Sequence, residues 1–137
     1  MYTDVEIDFV VRDSLKALEE YQAIFKDELE VVEQTSFDQG LNEVVFNLYG
    51  VRFNLLDENH EYHLFAPTAD NPNTIWFNIV VPNIQETFSL ALEQGATVIQ
   101  NLTEMKAMGV INAMFLDNSH YIWMLHQIHR DVSFEER

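Results

Sequence analysis

Between Val5 and Val11 the chain alternates, with Val5, Ile7, Phe9 and Val11 on one side of an extended backbone and Glu6, Asp8 and Val10 on the other. Period two predicts a strand with one buried face. The period then lengthens. Leu15, Leu18, Tyr21, Ile24 and Phe25 recur at helical spacing behind Asp13, a residue suited to cap the helix, while Lys16, Glu19, Glu20 and Lys26 lie largely off that stripe. The pattern is strand, short turn, amphipathic helix.

About seventy positions later the same unit recurs. Ile75 to Val81 is apolar and strand-like, and IQETFSLALEQG follows it, with Asn83 and Glu86 at capping-box spacing and Gly95 as a stop. At this shift Ile7 matches Phe77, Phe9 matches Ile79, Val11 matches Val81, Asp13 matches Asn83 and Leu18 matches Phe88. The distal parts NEVVFNLYGVRFNLL and INAMFLDNSHYIWMLH each hold two apolar runs broken by a turn, which pairs Phe53 with Trp123 and Asn54 with Met124. Each half therefore reads as a strand, a helix and three more strands. The expected organisation is one domain over residues 1–137, with a first module over about 3–57, a Pro- and Asn-rich linker over about 58–73 and a second module over about 74–130.

A chain of 137 residues, 47% hydrophobic and 12% aromatic, can bury a sizeable core. Its 23 acidic and 7 basic residues give a formal charge of -16, which repels phosphate backbones and anionic lipid headgroups. Nucleic acid and membranes are not the expected partners. The acidic start MYTDVEIDF lacks the basic and apolar regions of a signal peptide, so the expectation is a cytoplasmic protein. With no cysteine, disulfides, thiolate metal sites and thiol nucleophiles are excluded.

The segments IDFVVRDSLKALEEYQAIF and FNIVVPNIQETFSLALEQGATVIQ, with the closing MFLDNSHYIWMLHQ, resemble the vicinal oxygen chelate superfamily of glyoxalases, bleomycin resistance proteins and extradiol dioxygenases, in particular its PhnB-like branch. The resemblance covers nearly the whole chain. It implies an α+β fold of two βαβββ modules in tandem, forming curved mixed sheets with the helices on the outer face, around a cup that takes a small molecule. It also implies a homodimer, for which two chains of -16 would need an apolar contact to overcome their repulsion.

Strand parity assigns the residues that face such a cup. If Val5, Ile7, Phe9 and Val11 pack under the helix, Glu6, Asp8 and Val10 face the other way, as do Trp76, Asn78 and Val80 in the second module. In the last strand of each module Arg52, Asn54 and Leu56, and Ile122, Met124 and His126, share that face. The resemblance implies that metal-dependent relatives draw ligands from positions matching Glu6, Asn54, Trp76 and Met124. This set suits a divalent ion poorly, because indole offers no lone pair, thioether prefers soft metals, and one carboxylate with one amide holds a divalent ion weakly. No metal and no cofactor are expected.

Glu6, Asp8, Arg52, Asn54, Trp76, Asn78, Met124 and His126 are therefore the expected ligand-binding residues. Trp76 can stack on a planar or cationic group, or, like Met124, simply fill core. Arg52 can clamp an anion or be neutralised by Glu6 and Asp8. The HEYH and HQIH pairs have zinc-compatible spacing but sit in the linker and at a strand exit, with no clear third ligand. No P-loop, GxSxG, HExxH or GxGxxG pattern occurs. The expected activity is metal-free binding of a basic or planar organic molecule. Two alternatives remain: a glyoxalase-like lyase or isomerase with Glu6 as general base and a weakly held metal or Arg52 as electrophile, and a structural or protein-interaction module.

Overall fold

A computed structural model describes residues 3–38 and 40–130. Two compact units divide between Thr68 and Ala69. The first contains β1 (Ile7–Val11), α1 (Ser14–Phe25), β2 (Leu29–Gln34), β3 (Glu43–Leu48) and β4 (Val51–Asp57). The second contains β5 (Phe77–Val80), α2 (Ile84–Glu93), β6 (Thr97–Met105), β7 (Val110–Leu116) and β8 (Ile122–Ile128). The sheets run β1-β4-β3-β2 and β5-β8-β7-β6, so each is mixed, its first strand parallel to its last and the other pairs antiparallel. The tandem βαβββ organisation expected from the repeat is the one observed.

Both helices begin on the expected side chains. Asp13 Oδ1 accepts from the Lys16 N–H and Asn83 Oδ1 from the Glu86 N–H, each at 3.1 Å, which satisfies a donor that the first helical turn leaves unpaired. The helix α2 ends before Gly95, whose φ of 93° is a left-handed conformation that a Cβ would strain.

The two core faces are both built on aromatic rings, at positions that correspond in part: Phe53 matches Trp123, whereas Phe9 matches Ile79 and Phe77 matches Ile7. In the first unit the rings of Phe46 and Phe53 stack across β3 and β4 at 5.2 Å, and Phe9 lies 5.9 Å from Phe53 and 6.0 Å from Tyr21 of α1. In the second, Trp123 is 4.6 Å from Phe77 and stacks with Phe115 at 6.4 Å. Such pairs add about 0.5–1.5 kcal/mol each beyond the burial of their area.

The hairpins differ by one residue. Tyr49 and Gly50, both with positive φ, close β3 onto β4 as a two-residue turn whose twist matches that of the strands. Three residues, Asn118, Ser119 and His120, join β7 to β8, with His120 left-handed and the Asp117 N–H donating to the Tyr121 carbonyl at 2.8 Å.

Three sequence expectations change. The strands are shorter at their starts than the alternation suggests, and Val5, expected under the helix, is 77% exposed. Pairing of β1 with β4 starts at Ile7 and Phe53; beyond it β4 enters its turn, leaving Val5, Ile7 and Val51 exposed. Glu20, expected off the apolar stripe of α1, is buried. Among the described residues no helix is long and apolar enough to cross a membrane.

Candidate functional site

Each sheet buries one face against its helix and leaves the other half-covered. In β4, Phe53 and Leu55 are buried while Arg52, Asn54 and Leu56 are half-buried; in β8, Trp123 and Leu125 are buried while Ile122, Met124 and His126 are half-buried. Period two thus places the expected residues of the last strands on the open faces.

On the open face of the first sheet Asp8 lies opposite Asn54, Asn54 opposite Val45, Leu56 opposite Glu43, and Arg52 opposite Asn47. Asn47 in turn is opposite Glu30, and Val45 opposite Glu33. The face is therefore lined largely by oxygen acceptors. Asn54 Nδ2 donates to Glu43 Oε2 at 3.5 Å, while Asn54 Oδ1 is enclosed and has no hydrogen-bond partner. Arg52 forms an ion pair with Asp4, a partner that the parity argument, which looked to Glu6 and Asp8, did not identify.

Glu6 precedes β1 by one residue and is exposed, a correction to its expected place inside the strand. Its carboxyl is pushed above its usual value of 4.5 by partial desolvation, by the charge of Asp8 and a hydrogen bond with it, and by the charge of Glu43. The three carboxylates are spread along this face, Glu6 before the first pair of β1 with β4, Asp8 opposite Asn54 and Glu43 opposite Leu56.

The open face of the second sheet is different in kind. Asn78 lies opposite Met124, Met124 opposite Met114, and His126 opposite Asn112. Two hydrogen bonds cross it: His126 Nδ1 to Asn78 Oδ1 at 2.6 Å, and Gln100 Nε2 to Asn112 Oδ1 at 2.5 Å. Because the Asn78 oxygen can only accept, Nδ1 carries the proton and Nε2 of the neutral ring is left as an acceptor. Desolvation lowers the pKa of His126 below its usual 6.5, which favours that neutral form. Trp76, expected inside the first strand of this module, instead precedes β5 by one residue and is 52% exposed.

Glu43, Asn112 and Met114 were not anticipated. NEVVFNL holds three successive apolar residues and VINAMFL is apolar at every position but Asn112, so alternation alone gave little signal. Their faces follow from the register with the last strand of each module.

No protein-family model matches the chain, and no curated protein matches it by sequence. Solved structures do. FosX, a fosfomycin resistance protein from Listeria monocytogenes solved with Mn(II) and sulfate, superposes with a TM-score of 0.70 at 15% identity, over 100% of this chain and 95% of that one. This is the vicinal oxygen chelate fold. The PhnB protein of Bacillus cereus gives a TM-score of 0.66 at 17% identity, over 91% of this chain and 99% of that one. TioX from Micromonospora sp. ML1 gives 0.65 at 12% identity, over 92% and 98%.

The four positions that the resemblance matches to metal ligands, Glu6, Asn54, Trp76 and Met124, do not fit a divalent ion in this chain. Glu6 is tied to Asp8 and the Asn54 amide to Glu43, Trp76 has no donor lone pair, and Met124 offers only a thioether. Among the described residues no three His, Asp or Glu side chains are grouped to hold a metal.

Proposed function

We propose that the protein binds a small basic organic molecule, planar in part, on the open face of its first sheet and without a divalent metal. The acceptor lining of the first sheet carries this reading. Asp8 and Glu43 present carboxylate oxygens, and the guanidinium of Arg52 is engaged by Asp4. A ligand bearing N–H donors or a positive charge matches these groups; an anion would meet like charge. FosX is a fosfomycin resistance protein, and drug sequestration by a small-molecule binder is the role proposed here. The protein acts as a homodimer in this reading, with exposed apolar residues such as Val5 and Ile75 available for the contact between two acidic chains.

Titration with proflavine, a planar cation, against a neutral and a sulfonated aromatic of similar size tests the proposal. Intrinsic fluorescence is a suitable signal, because Trp123 is buried and Trp76 is exposed. Saturable binding of the cation, lost at high salt and absent for the sulfonate, is the expected result. Equal binding of all three would overturn the charge selection.

One observation favours a second reading, an enzyme of lyase or isomerase type. The carboxyl of Glu6, raised above its usual value by partial desolvation and by Asp8 and Glu43, is a stronger base than an ordinary carboxylate. Turnover abolished by Glu6→Gln, with ligand affinity retained, would establish it.

A further inference from the structure

We propose that the open face of the second sheet binds a soft monovalent metal ion, of the copper(I) class, through the thioethers of Met114 and Met124 and the Nε2 of His126. The three side chains form one contiguous patch. Met114 and Met124 are direct cross-strand partners in β7 and β8, which places their Cβ atoms about 4.5–5.5 Å apart. His126 follows Met124 by two residues on the same face, about 7 Å along the strand. All three are half-buried, so an ion there would be partly shielded from water and still reachable.

The chemistry of the patch selects the ion. Thioether and neutral imidazole are soft or borderline donors and favour copper(I), whereas hard divalent ions require carboxylates. The strand residues around the patch are Asn78, Val80, Asn112 and Ile122, none of them charged. Asn78 adds the second requirement. By accepting from Nδ1 at 2.6 Å it fixes the tautomer and holds the ring with Nε2 unprotonated, the arrangement that outer hydrogen bonds give to ligating histidines. Flexible methionine side chains can close on an ion without moving the backbone. The inference is separate from the organic-cation reading, which rests on the first sheet, and either can fail alone.

The test uses the full chain without a tag. Silver(I), a redox-stable probe of the same class, is titrated into protein labelled at the methionine methyls, and copper(I) affinity is measured without oxygen by competition with bicinchoninate. The expected result is one ion per chain, with the methyl signals of Met114 and Met124 and the ring signals of His126 moving while Met105 and Met108 stay. Met124→Leu, and separately His126→Asn, should weaken copper(I) at least tenfold. The methyl shifts of the unsubstituted protein give an answer even if a variant folds poorly. Failure to retain the ion in competition, or movement instead of Met105, Met108 or the other histidines, would overturn the proposal. Removal of the ion by either substitution without loss of proflavine binding would separate the two sites.

Discussion

The backbone N–H of Ser14 donates to Asp57 Oδ1 at 2.6 Å, so the end of β4 holds the start of α1. The second unit repeats the device with another side chain: the Ile84 N–H donates to Gln127 Oε1 at 2.9 Å. Both bonds span 43 residues and join matched positions, so the duplication extends to a tertiary contact. The acceptors differ in charge and in load, because Asp57 Oδ2 also accepts from the Asn42 N–H at 2.8 Å.

That difference predicts unequal losses. Asp57→Ala removes both oxygens of a charged carboxylate, each holding a backbone N–H, and should cost about 3 kcal/mol; Gln127→Ala removes one neutral bond and should cost about 1 kcal/mol. Urea unfolding of both variants checks the order, and equal losses would contradict it.

Ser14 supplies an opposite case. Its hydroxyl is enclosed without a hydrogen-bond partner, while its N–H makes the bond to Asp57 that alanine would keep. The second unit places Ile84, an apolar residue, at the matched position. Ser14→Ala should therefore stabilise the protein by about 1 kcal/mol, the scale of an unsatisfied buried polar group. A drop in Tm would show that the hydroxyl has a role that the geometry does not disclose.

Much of this architecture was legible because each signal was local. Asp13 and Asn83 stand one residue ahead of their helices, and parity within a strand needs no knowledge of its neighbours. What was missed depends on partners distant in the chain. Arg52 is held by Asp4, and Glu20 is buried on a helix whose stripe is wider than its apolar residues alone suggest. The exposure of Val5 and Trp76 is set by where the pairing of β1 and β5 begins, which alternation cannot mark. The candidate site was half legible for the same reason: the outer strands gave Asp8, Asn54, Asn78, Met124 and His126, and only the sheet order put Glu43, Met114 and Asn112 beside them.

The turn before β8 rests on Asp117, which is buried. Its Oδ1 accepts from the N–H groups of Ser119 at 2.8 Å and Tyr121 at 2.9 Å, and its Oδ2 from Trp123 Nε1 at 2.8 Å. Asparagine can serve the two backbone donors, but its Nδ2 would then face the indole N–H, donor against donor. Asp117→Asn should cost about 1–3 kcal/mol through the orphaned indole. A change in Trp123 fluorescence should accompany the loss; an unchanged spectrum and Tm would refute the assignment.

For the organic-cation reading, Asp8→Ala should weaken proflavine binding by more than tenfold, since it removes a charge and both carboxylate oxygens from the open face. Glu43→Gln should weaken it less and reduce its salt dependence, because that substitution removes a charge and keeps an oxygen. Unchanged affinity in both variants would remove the ligand from these residues.

His126 links stability to pH with a definite sign. Its folded pKa lies below the usual 6.5, so protonation favours the unfolded chain. The stabilisation from keeping the ring neutral is complete above about pH 6.5, the unfolded value, and declines as pH falls from there towards the folded value. His126→Gln keeps a polar side chain and removes the titration, and should flatten this part of the Tm profile. The same protonation would occupy Nε2, so silver(I) should dissociate over that interval while proflavine, whose proposed face on the first sheet carries no histidine, remains bound. Parallel loss of both probes would contradict the separation of the two readings.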